Sequence, residues 1–378
     1  MKRAFLFTVI LLLTGTFLFV GCAKEKKVTA KYKIGLVFDI GGRGDNSFND
    51  SAYRGLKQVA ETYKGTIQGD PDKVNFGSEV ELKYLEPKSG GQDREQLLRA
   101  LAEEGYSPIF AVGFLFTESV AKVAKDFPKT HFAIIDGWIP DLTDASNITC
   151  LAFAEHEGSF LVGAIAGLKN QKGKIGFIGG MDMPLIHKFQ AGYIAGALYV
   201  NPALRNQKMV LAQYIGKEPS AFNDPKAGKD IASNFYKQGA TIIYHAAGGS
   251  GDGLFQAAEE NKKLAIGVDS DQGLIYASAK EEATKAKGKW ILTSMLKRVD
   301  NSVFLTCKDS IDKGKVAGGY RSFGLKEDGV GYALNDFNKA ELADVQAKVE
   351  EIKAKIIGGE IKVPDDDAKL AEYVKALK

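Results

Sequence analysis

Strand-like apolar runs alternate with helical segments along most of this chain, and this alternation limits the possible folds more than any other feature of the sequence. The first five runs occupy residues 33–39, 80–85, 108–113, 131–136 and 148–153. A second series occupies residues 175–178, 209–215, 241–246, 264–268 and 290–296. Because strand–helix–strand units build parallel sheets, we predict an α/β protein with two similar halves.

The chain is long enough for two domains, and its composition is that of a folded protein. It has 378 residues, of which 45% are hydrophobic and 26% are charged. Lys and Arg number 50 against 47 Asp and Glu, and setting aside Lys2 and Arg3 of the amino-terminal leader leaves 48 against 47. A charge so close to balance predicts no nucleic-acid partner.

The amino terminus has the pattern of an export signal. Lys2 and Arg3 precede an uncharged apolar run at 4–20, which is typical of a secretory signal peptide. A short membrane anchor is the alternative, because the run is near the lower end of the ~17 to 25 residues that span a bilayer. The run ends in Leu18-Phe19-Val20-Gly21-Cys22, which resembles the lipobox of bacterial lipoproteins, although Phe19 stands where Leu is usual.

That resemblance assigns the first residues to export and anchoring. Residues 1–21 are then a signal peptide, Cys22 is the lipidated first residue of the mature protein, and 22–30 is a tether to the membrane. The protein is expected in a bacterial cell envelope, on the extracytoplasmic side of a membrane. Such a compartment would allow Cys150 and Cys307 to pair, but we expect two buried free thiols.

A polar glycine-rich loop at 41–50 joins the first apolar run to a helical segment. It carries Asp45, Ser47, Phe48 and Asn49. In an open α/β sheet such a loop lies at the carboxyl end of a strand, where ligands bind. Phe48 is therefore either a ring that stacks on a flat ligand or a residue that packs the helix onto the core while Ser47 or Asn49 caps it. Taken alone, the loop favours the packing role.

Three of the apolar runs end in an aspartate, and another is followed by a lysine. The aspartates are Asp39, Asp136 and Asp269. Because parallel strands end at one edge of a sheet, these carboxylates could converge there, although each could also be a helix cap. Lys297 follows the run at 290–296, where its ammonium could donate to a hydroxyl or a carbonyl.

Two further loops carry residues suited to ligand binding. The glycine loop at 247–253 contains Gly248 and precedes a helix, so its amides could meet ligand oxygens, but it could equally be a plain turn. Phe222 lies in a polar loop at 220–225. With Phe48 it could enclose a planar ring, and stacking contributes about 1 to 3 kcal/mol per base.

The motifs favour binding over catalysis. His131, His156, His187 and His245 have no metal-ligand spacing with each other or with cysteine. The glycine loops match neither the dinucleotide fingerprint, nor the Walker P-loop, nor the nucleophile elbow of hydrolases. We therefore expect no metal, no cofactor and no enzymatic activity.

Several motifs, in order along nearly the whole mature chain, resemble the basic membrane protein family of bacterial solute-binding lipoproteins. They are Asp39-x-Gly-Gly-x-x-Asp45-x-Ser47-Phe48-Asn49, Phe132-Ala-Ile-Ile-Asp136-Gly137, Glu157-Gly158-Ser159-Phe160-Leu161-Val162-Gly163, Ile178-Gly179-Gly180-Met181, Ala246-Ala247-Gly248-Gly249, Gly267-Val268-Asp269-Ser270-Asp271-Gln272 and Leu292-Thr293-Ser294-Met295-Leu296-Lys297. The resemblance implies a type I periplasmic-binding-protein fold, with two doubly wound parallel-sheet lobes joined by a hinge.

The resemblance also implies the organisation and the partners of the protein. The first lobe would comprise residues 31–152 and about 271–318, and the second lobe residues 153–270 and about 319–378. The expected partners are a small-molecule ligand and an ABC permease in the membrane, and a monomer is expected.

Characterised members of that family resemble purine nucleoside receptors, so the resemblance implies a nucleoside in the cleft between the lobes. Carried over by motif, the residues near the nucleobase would be Phe48, Phe222, Asn49 and Asp136. Those near the ribose hydroxyls would be Gly248, Asp269 and Lys297. Asp45 and Ser47 complete the predicted ligand-binding set.

Two other functions stay open from the sequence. One is a sugar-binding protein of the same fold, which would use the same acids and could also stack a pyranose on aromatic rings. The other is a surface nucleoside hydrolase or phosphorylase. A transcription regulator of this fold is disfavoured, because the leader stands where a DNA-binding helix pair would be.

Overall fold

Two β-sheets, one in each lobe, organise the fold. The computed structural model describes residues 30–170 and 172–377. The expected signal peptide, the lipidation site Cys22 and most of the tether lie outside these described residues. The strands are β1 Tyr32–Val37, β2 Gly65–Gln68, β3 Val80–Leu85, β4 Ile109–Val112, β5 Phe132–Ile135, β6 Ile148–Phe153, β7 Lys174–Met181, β8 Val210–Gly216, β9 Ala240–Ala246, β10 Leu264–Asp269, β11 Ile291–Lys297, β12 Gly319–Phe323 and β13 Val330–Tyr332.

The two sheets share a central strand order. The first sheet runs β12-β6-β5-β4-β1-β3-β2 and the second β13-β11-β10-β9-β7-β8. Pairing is parallel throughout the first sheet and, in the second, everywhere except between β11 and β13. In each sheet, the chain first adds strands on one side of the lobe's first strand, β1 or β7, and then adds strands on the other side. This reversal leaves a crevice at the carboxyl ends of the strands. The predicted α/β fold with two parallel-sheet lobes is confirmed.

Helices cover the sheets, and the buried side chains of helices and strands pack into three hydrophobic clusters. Central strands such as β4 and β5 are buried along their whole length, as expected of a sheet that is covered on both faces. The helices are α1 Phe48–Thr62, α2 Arg94–Glu103, α3 Thr117–Asp126, α4 Glu155–Lys169, α5 Pro184–Val200, α6 Pro225–Lys237, α7 Gly251–Asn261, α8 Gln272–Ala277, α9 Glu282–Gly288, α10 Val299–Lys313, α11 Lys339–Leu342, α12 Gln346–Ile357 and α13 Asp367–Ala376.

Glycines bring α4 and α5 into backbone contact. A Cβ atom added at Gly163 would lie 2.1 Å from the carbonyl oxygen of Tyr193, and one at Gly196 would lie 2.0 Å from that of Phe160. No side chain fits at these distances, so the two helices approach this closely because both positions are glycine. The small residues of α4 and α5 therefore set the distance between the two helices.

The chain passes between the lobes three times, and the sheets correct the predicted lobe bounds. β11 pairs with β10 in the second sheet, so its residues do not belong to the first lobe, where 271–318 had been expected. β12 pairs with β6 in the first sheet, although its residues were expected in the second lobe. The crossings therefore lie between β6 and α4, between β11 and α10, and between β12 and β13.

The two cysteines among the described residues are not joined by a disulfide bond. Cys150 and Cys307 are both buried and free, as predicted, and burial raises the pKa of each thiol. Within residues 30–170 and 172–377, no helix combines the length and the apolar character needed to cross a bilayer.

Candidate functional site

A cleft between the lobes lies at the carboxyl ends of the central strands of both sheets. It contains about 740 Å³ of space free of atoms, which includes its opening to solvent. The first lobe contributes the loops after β1 and β4 and the residue that follows β5. The second lobe contributes the start of α5, the loops after β8 and β9, and the last residues of β10 and β11. Both lobes therefore supply side chains to one site.

Most of the predicted ligand-binding residues lie together in this cleft. Those that line it are Asp45, Phe48, Asn49, Asp136, Phe222, Gly248, Asp269 and Lys297. Ser47 lies behind the lining, fully buried, and its hydroxyl donates to Asp269 Oδ2 at 2.6 Å. Contact of these residues with a ligand stays a prediction.

Asp45 organises the start of α1. Its Oδ1 accepts hydrogen bonds from the backbone N–H groups of Ser47 at 2.9 Å and Asp50 at 3.1 Å, and its Oδ2 accepts from that of Asn49 at 2.8 Å. These are orphan donors of the first helical turn, so Asp45 caps the helix. The expectation that Ser47 or Asn49 would cap it is wrong, because the Ser47 side chain makes no capping hydrogen bond.

The side chain of Asn49 holds the loop to the end of β1. Its Oδ1 accepts from the N–H of Asp39 at 3.0 Å, while its Nδ2 donates to Asp45 Oδ2 at 3.0 Å. Both polar ends of Asn49 are thus engaged within the loop. In this arrangement Asp45 and Asn49 position Phe48, which follows Ser47 at the first turn of α1.

Phe48 and Phe222 reach the cleft from opposite lobes. Both rings are half-buried and pack partly against the core. Phe222 approaches the backbone of β7 closely, since a Cβ atom at Gly180 would lie 2.4 Å from its ring. The Phe48 ring centroid is 5.1 Å from Lys297 Nζ, within the range of a cation–π contact. Both lobes therefore present aromatic surface to the cleft.

Asp136 and Asp269 occupy equivalent places in the two sheets. Asp136 follows β5 and Asp269 ends β10, and each of these strands is third from the edge of its sheet. Both residues have a left-handed backbone, with φ of +64° and +62°. This conformation costs a non-glycine residue about 1 to 2 kcal/mol, and aspartate is among the residues that tolerate it. Such strain is typical of functional sites that the surrounding structure holds in place.

A buried lysine joins carboxylates from both lobes. Lys297 is 2% exposed, and its Nζ lies 2.5 Å from Asp136 Oδ2 in the first lobe and 3.1 Å from Glu155 Oε1 in the second. Oδ1 of Asp136 is buried and has no hydrogen-bond partner among the described residues. That oxygen is a free acceptor at the edge of the cleft.

Burial and charge pull the pKa values of this cluster in opposite directions. Burial alone lowers the pKa of Lys297, but Asp136, Glu155 and Asp269 outweigh it and raise the pKa above the usual lysine range. Burial raises the pKa of Asp136, and that of Asp269 to about 6, although Lys297 opposes both shifts. For Glu155, the nearby Lys297 and Lys188 outweigh burial and lower the pKa. Lys297 is therefore charged at neutral pH.

The sequence analysis left several cleft residues outside the ligand-binding set. Asp39 lines the cleft with Oδ1 held by Arg94 Nη2 at 2.8 Å, and burial raises its pKa although Arg94 opposes the shift. Glu155 follows the end of β6 by two residues, which is the same strand-end signal that drew attention to Asp39. Phe114 and Phe189 also line the cleft. Phe114 lies in an apolar stretch typical of a core, and Phe189 lies between Lys188 and Gln190 in a helical segment, so neither stands out in the sequence.

The cleft offers both hydrogen-bond acceptors and aromatic surface. Asp39, Asp136 and Asp269 can accept hydrogen bonds, and Lys297 can donate. A neutral ligand with hydroxyl groups and a flat apolar part matches this set, whereas an anion would meet carboxylates of like charge. Within the described parts of the chain, no group of three or more His, Cys, Asp or Glu side chains could hold a metal ion.

Comparisons with known proteins agree with this geometry. The family model Bmp, described as ABC transporter substrate-binding protein PnrA-like, matches residues 31–367. The chain is 33% identical over 356 residues to the ABC transporter nucleoside-binding protein BmpA of Lactococcus lactis, covering 89% of this chain and 90% of the relative. It is 35% identical over 346 residues to an uncharacterized lipoprotein of Pyrococcus abyssi, covering 88% and 77% of the two chains.

Solved structures have the same architecture. A solute-binding protein of an ABC transporter system from Aeropyrum pernix superposes with a TM-score of 0.72 at 30% identity, covering 92% of this chain and 98% of the other. GanP, a glucose-galactose binding protein from Geobacillus stearothermophilus, superposes with a TM-score of 0.52 at 16% identity, covering 81% and 98%. The second likeness concerns the fold alone, which is the type I periplasmic-binding-protein fold predicted from the motifs.

Asp269 predicts a pH dependence of stability. Its pKa is raised from 3.8 to about 6 in the folded protein, so the folded state holds this proton more tightly than the unfolded chain. The stabilisation from that proton is complete below about pH 4 and is lost as the pH rises through 6. Relative to wild type, the unfolding free energy of Asp269→Asn should therefore increase by about 2 kcal/mol between pH 4 and pH 7, measured by urea denaturation. A difference that stays constant over this range would contradict the raised pKa.

Proposed function

The chain belongs to the Bmp family of PnrA-like substrate-binding proteins of ABC transporters, and on that premise we propose that it binds a purine nucleoside in the cleft between its lobes. Proteins of this class bind a small molecule and work with a permease in the membrane, and they are not enzymes. The proposal concerns the ligand, its contacts and the anchoring of the protein.

One observation carries the proposal: aromatic rings from both lobes and a cluster of hydrogen-bond acceptors share a single cleft. Phe48 and Phe222 would take the two faces of the base. A ring bound between them would be removed from water on both sides, which adds hydrophobic burial to stacking.

The polar side of the cleft suits the ribose. The carboxylate of Asp269 would accept hydrogen bonds from sugar hydroxyls and Lys297 would donate to their oxygens, while the free Oδ1 of Asp136 would accept from the base. Each of these three groups is buried, so leaving a donor or acceptor there without a hydrogen-bond partner costs free energy. A ligand that supplies hydroxyl groups removes that cost, whereas a free base supplies none.

Charge argues against a phosphorylated ligand. Asp39 is paired with Arg94, but Asp136, Glu155 and Asp269 surround the ammonium of Lys297, and Lys188 Nζ reaches Glu155 Oε2 at 3.4 Å. A phosphate would add about two negative charges to a buried cluster that already has more acids than bases. We therefore propose nucleosides, and not nucleotides, as the ligand class.

Closure of the lobes about the three chain crossings would be the working motion. A ligand that contacts Phe48 and Asp136 on one side and Phe222 and Asp269 on the other favours the closed form through its differential affinity. The closed, loaded protein would then be the form that delivers the nucleoside to the permease.

A ligand panel tests the proposed function. Inosine, guanosine and adenosine should raise the melting temperature, because a ligand at 100 times its Kd adds about 2.7 kcal/mol of stability. Inosine 5′-monophosphate should bind at least about tenfold more weakly than inosine, since tenfold is only about 1.4 kcal/mol. A response to monosaccharides alone would show a sugar-binding protein instead. Release of free base from inosine overnight, measured by chromatography, would show an enzyme.

Removing either aromatic ring tests the stacking role. Phe48→Ala and Phe222→Ala should each weaken inosine binding by about 1 to 3 kcal/mol, measured by titration calorimetry, because one base face loses its partner. Phe76→Ala is the control, since Phe76 is 47% exposed and does not line the cleft. If Phe48→Ala lowers the melting temperature sharply but leaves affinity unchanged, Phe48 is a core residue and not a ligand contact.

The anchoring proposal is that Cys22 carries acyl chains which hold the protein on the extracytoplasmic side of a membrane. It is supported by the lipobox-like run before Cys22 and by the lipoprotein name of the Pyrococcus abyssi relative. Cys22→Ser should abolish incorporation of labelled palmitate in a bacterial host and move the protein from the membrane fraction. Cys150→Ser, which changes a buried thiol, should leave labelling intact. Labelling of Cys22→Ser at the wild-type level would refute the assignment.

A further inference from the structure

Three hydrogen bonds join the lobes beside the ligand cleft, and two of them connect residues that do not line it. Ser270, which follows β10 in the second lobe, donates its hydroxyl proton to the carbonyl oxygen of Ser47 at 2.7 Å. The same hydroxyl oxygen accepts from Nη2 of Arg54, on α1 of the first lobe, at 2.7 Å. Ser47 in turn donates to Asp269 Oδ2 at 2.6 Å. We call Arg54, Ser270 and Ser47 the interlobe relay.

The chemistry of the relay depends on the hydroxyl of Ser270. A hydroxyl has one proton to donate and lone pairs to accept, and Ser270 uses both across the lobe boundary. Its side chain is 1% exposed, and Ser47 is fully buried, so water does not replace these bonds while the lobes stay together. The bond from Arg54 is charge-assisted, which makes it stronger than a neutral one.

The relay is adjacent in the chain to the proposed ligand contacts on both sides of the cleft. Ser47 precedes Phe48 at the start of α1, and Ser270 follows Asp269 at the end of β10. A lobe rotation that separates the two segments must break all the relay bonds together. It must also change the distance between Phe48 and Asp269.

We propose that Arg54 and Ser270 are positioning residues that bias the lobes toward closure, both with and without ligand, and thereby slow the release of the nucleoside. The slower release of nucleoside rests on the proposed function. The bias toward the closed arrangement of the lobes does not depend on which ligand is bound. Neither residue touches the ligand in this proposal. They act by holding Phe48 and Asp269 at the separation found in the closed cleft.

The size of the effect follows from the number of bonds lost. Ser270→Ala removes two hydrogen bonds across the boundary, and Arg54→Met removes one while it keeps an apolar stem. A net value of about 1 kcal/mol for each bond corresponds to about a fivefold change for one and more than tenfold for two. The relay bonds exist only while the lobes are closed, so their loss should speed reopening around the bound nucleoside, and the change should appear in dissociation more than in association.

The test combines small-angle X-ray scattering of the ligand-free protein with inosine binding kinetics. Ser270→Ala and Arg54→Met should increase the radius of gyration of the ligand-free protein. Ser270→Ala should also raise the inosine dissociation rate constant about thirtyfold and Arg54→Met about fivefold, with the association rate constant changed less than threefold. Ser51→Ala is the matched control, because Ser51 is a buried serine on α1 whose hydroxyl accepts from the N–H of Asp300 within the first lobe. It should lower stability without changing either readout.

The outcomes separate this proposal from the proposed function. If both variants scatter as wild type does, the bias toward closure is refuted, whatever the ligand. If they open but wild type binds no nucleoside, the relay stands and the ligand proposal fails. An equal rise in dissociation rate for Ser51→Ala would show general loosening of α1 and would also refute the relay.

Discussion

The cluster around Lys297 is the interaction on which the arrangement of the cleft depends. One ammonium, placed at the end of β11, draws together carboxylates that follow β5, end β10 and begin α4. Leaving a buried charge without its partner costs several kcal/mol, so none of these elements can shift alone without a large penalty. The same cluster defines the polarity of the cleft, because its acids outnumber its base and retain free acceptor oxygens. The Lys297 cluster therefore both holds the elements around the cleft in place and gives the cleft its preference for ligands that donate hydroxyl protons.

The two lobes place similar side chains at equivalent strand ends. Each sheet ends its third strand from the edge in an aspartate with a left-handed backbone, Asp136 or Asp269. Each lobe also sends one aromatic ring toward the other. The halves show no close repeat in sequence, so their likeness lies in where the strand ends place acids and rings. Lys297 breaks this symmetry, since it pairs with Asp136 across the boundary and leaves Asp269 bonded to Ser47.

Much of the fold and of the cleft could be predicted from the sequence, and the exceptions have physical causes. Long apolar runs identified the buried strands because parallel strands covered on both faces need continuous apolar sequence. The short edge strands β2, β12 and β13 carry no such signal, and strand pairing across distant parts of the chain cannot be read from composition, so β11 and β12 were assigned to the wrong lobes. The strand-end rule located Asp136 and Asp269 but passed over Glu155, which stands two residues beyond β6. The capping role of Asp45, whose carboxylate accepts from the backbone amides of Ser47, Asn49 and Asp50, could not be read from the loop sequence, and its contact with a ligand stays a prediction.

The order in which strands join the first sheet has a consequence for how the chain is made. β6 receives its outer neighbour only when β12 arrives, after the whole second sheet except β13 has been synthesised. Until then β6 is an unpaired edge, with backbone groups free to pair with another chain. The first lobe cannot be completed until residues 154–318 have been added, so β6 stays an open edge of the sheet over that whole stretch of the chain. A chain shortened before residue 319 would keep that edge permanently, and its defect would be self-association and not merely loss of binding.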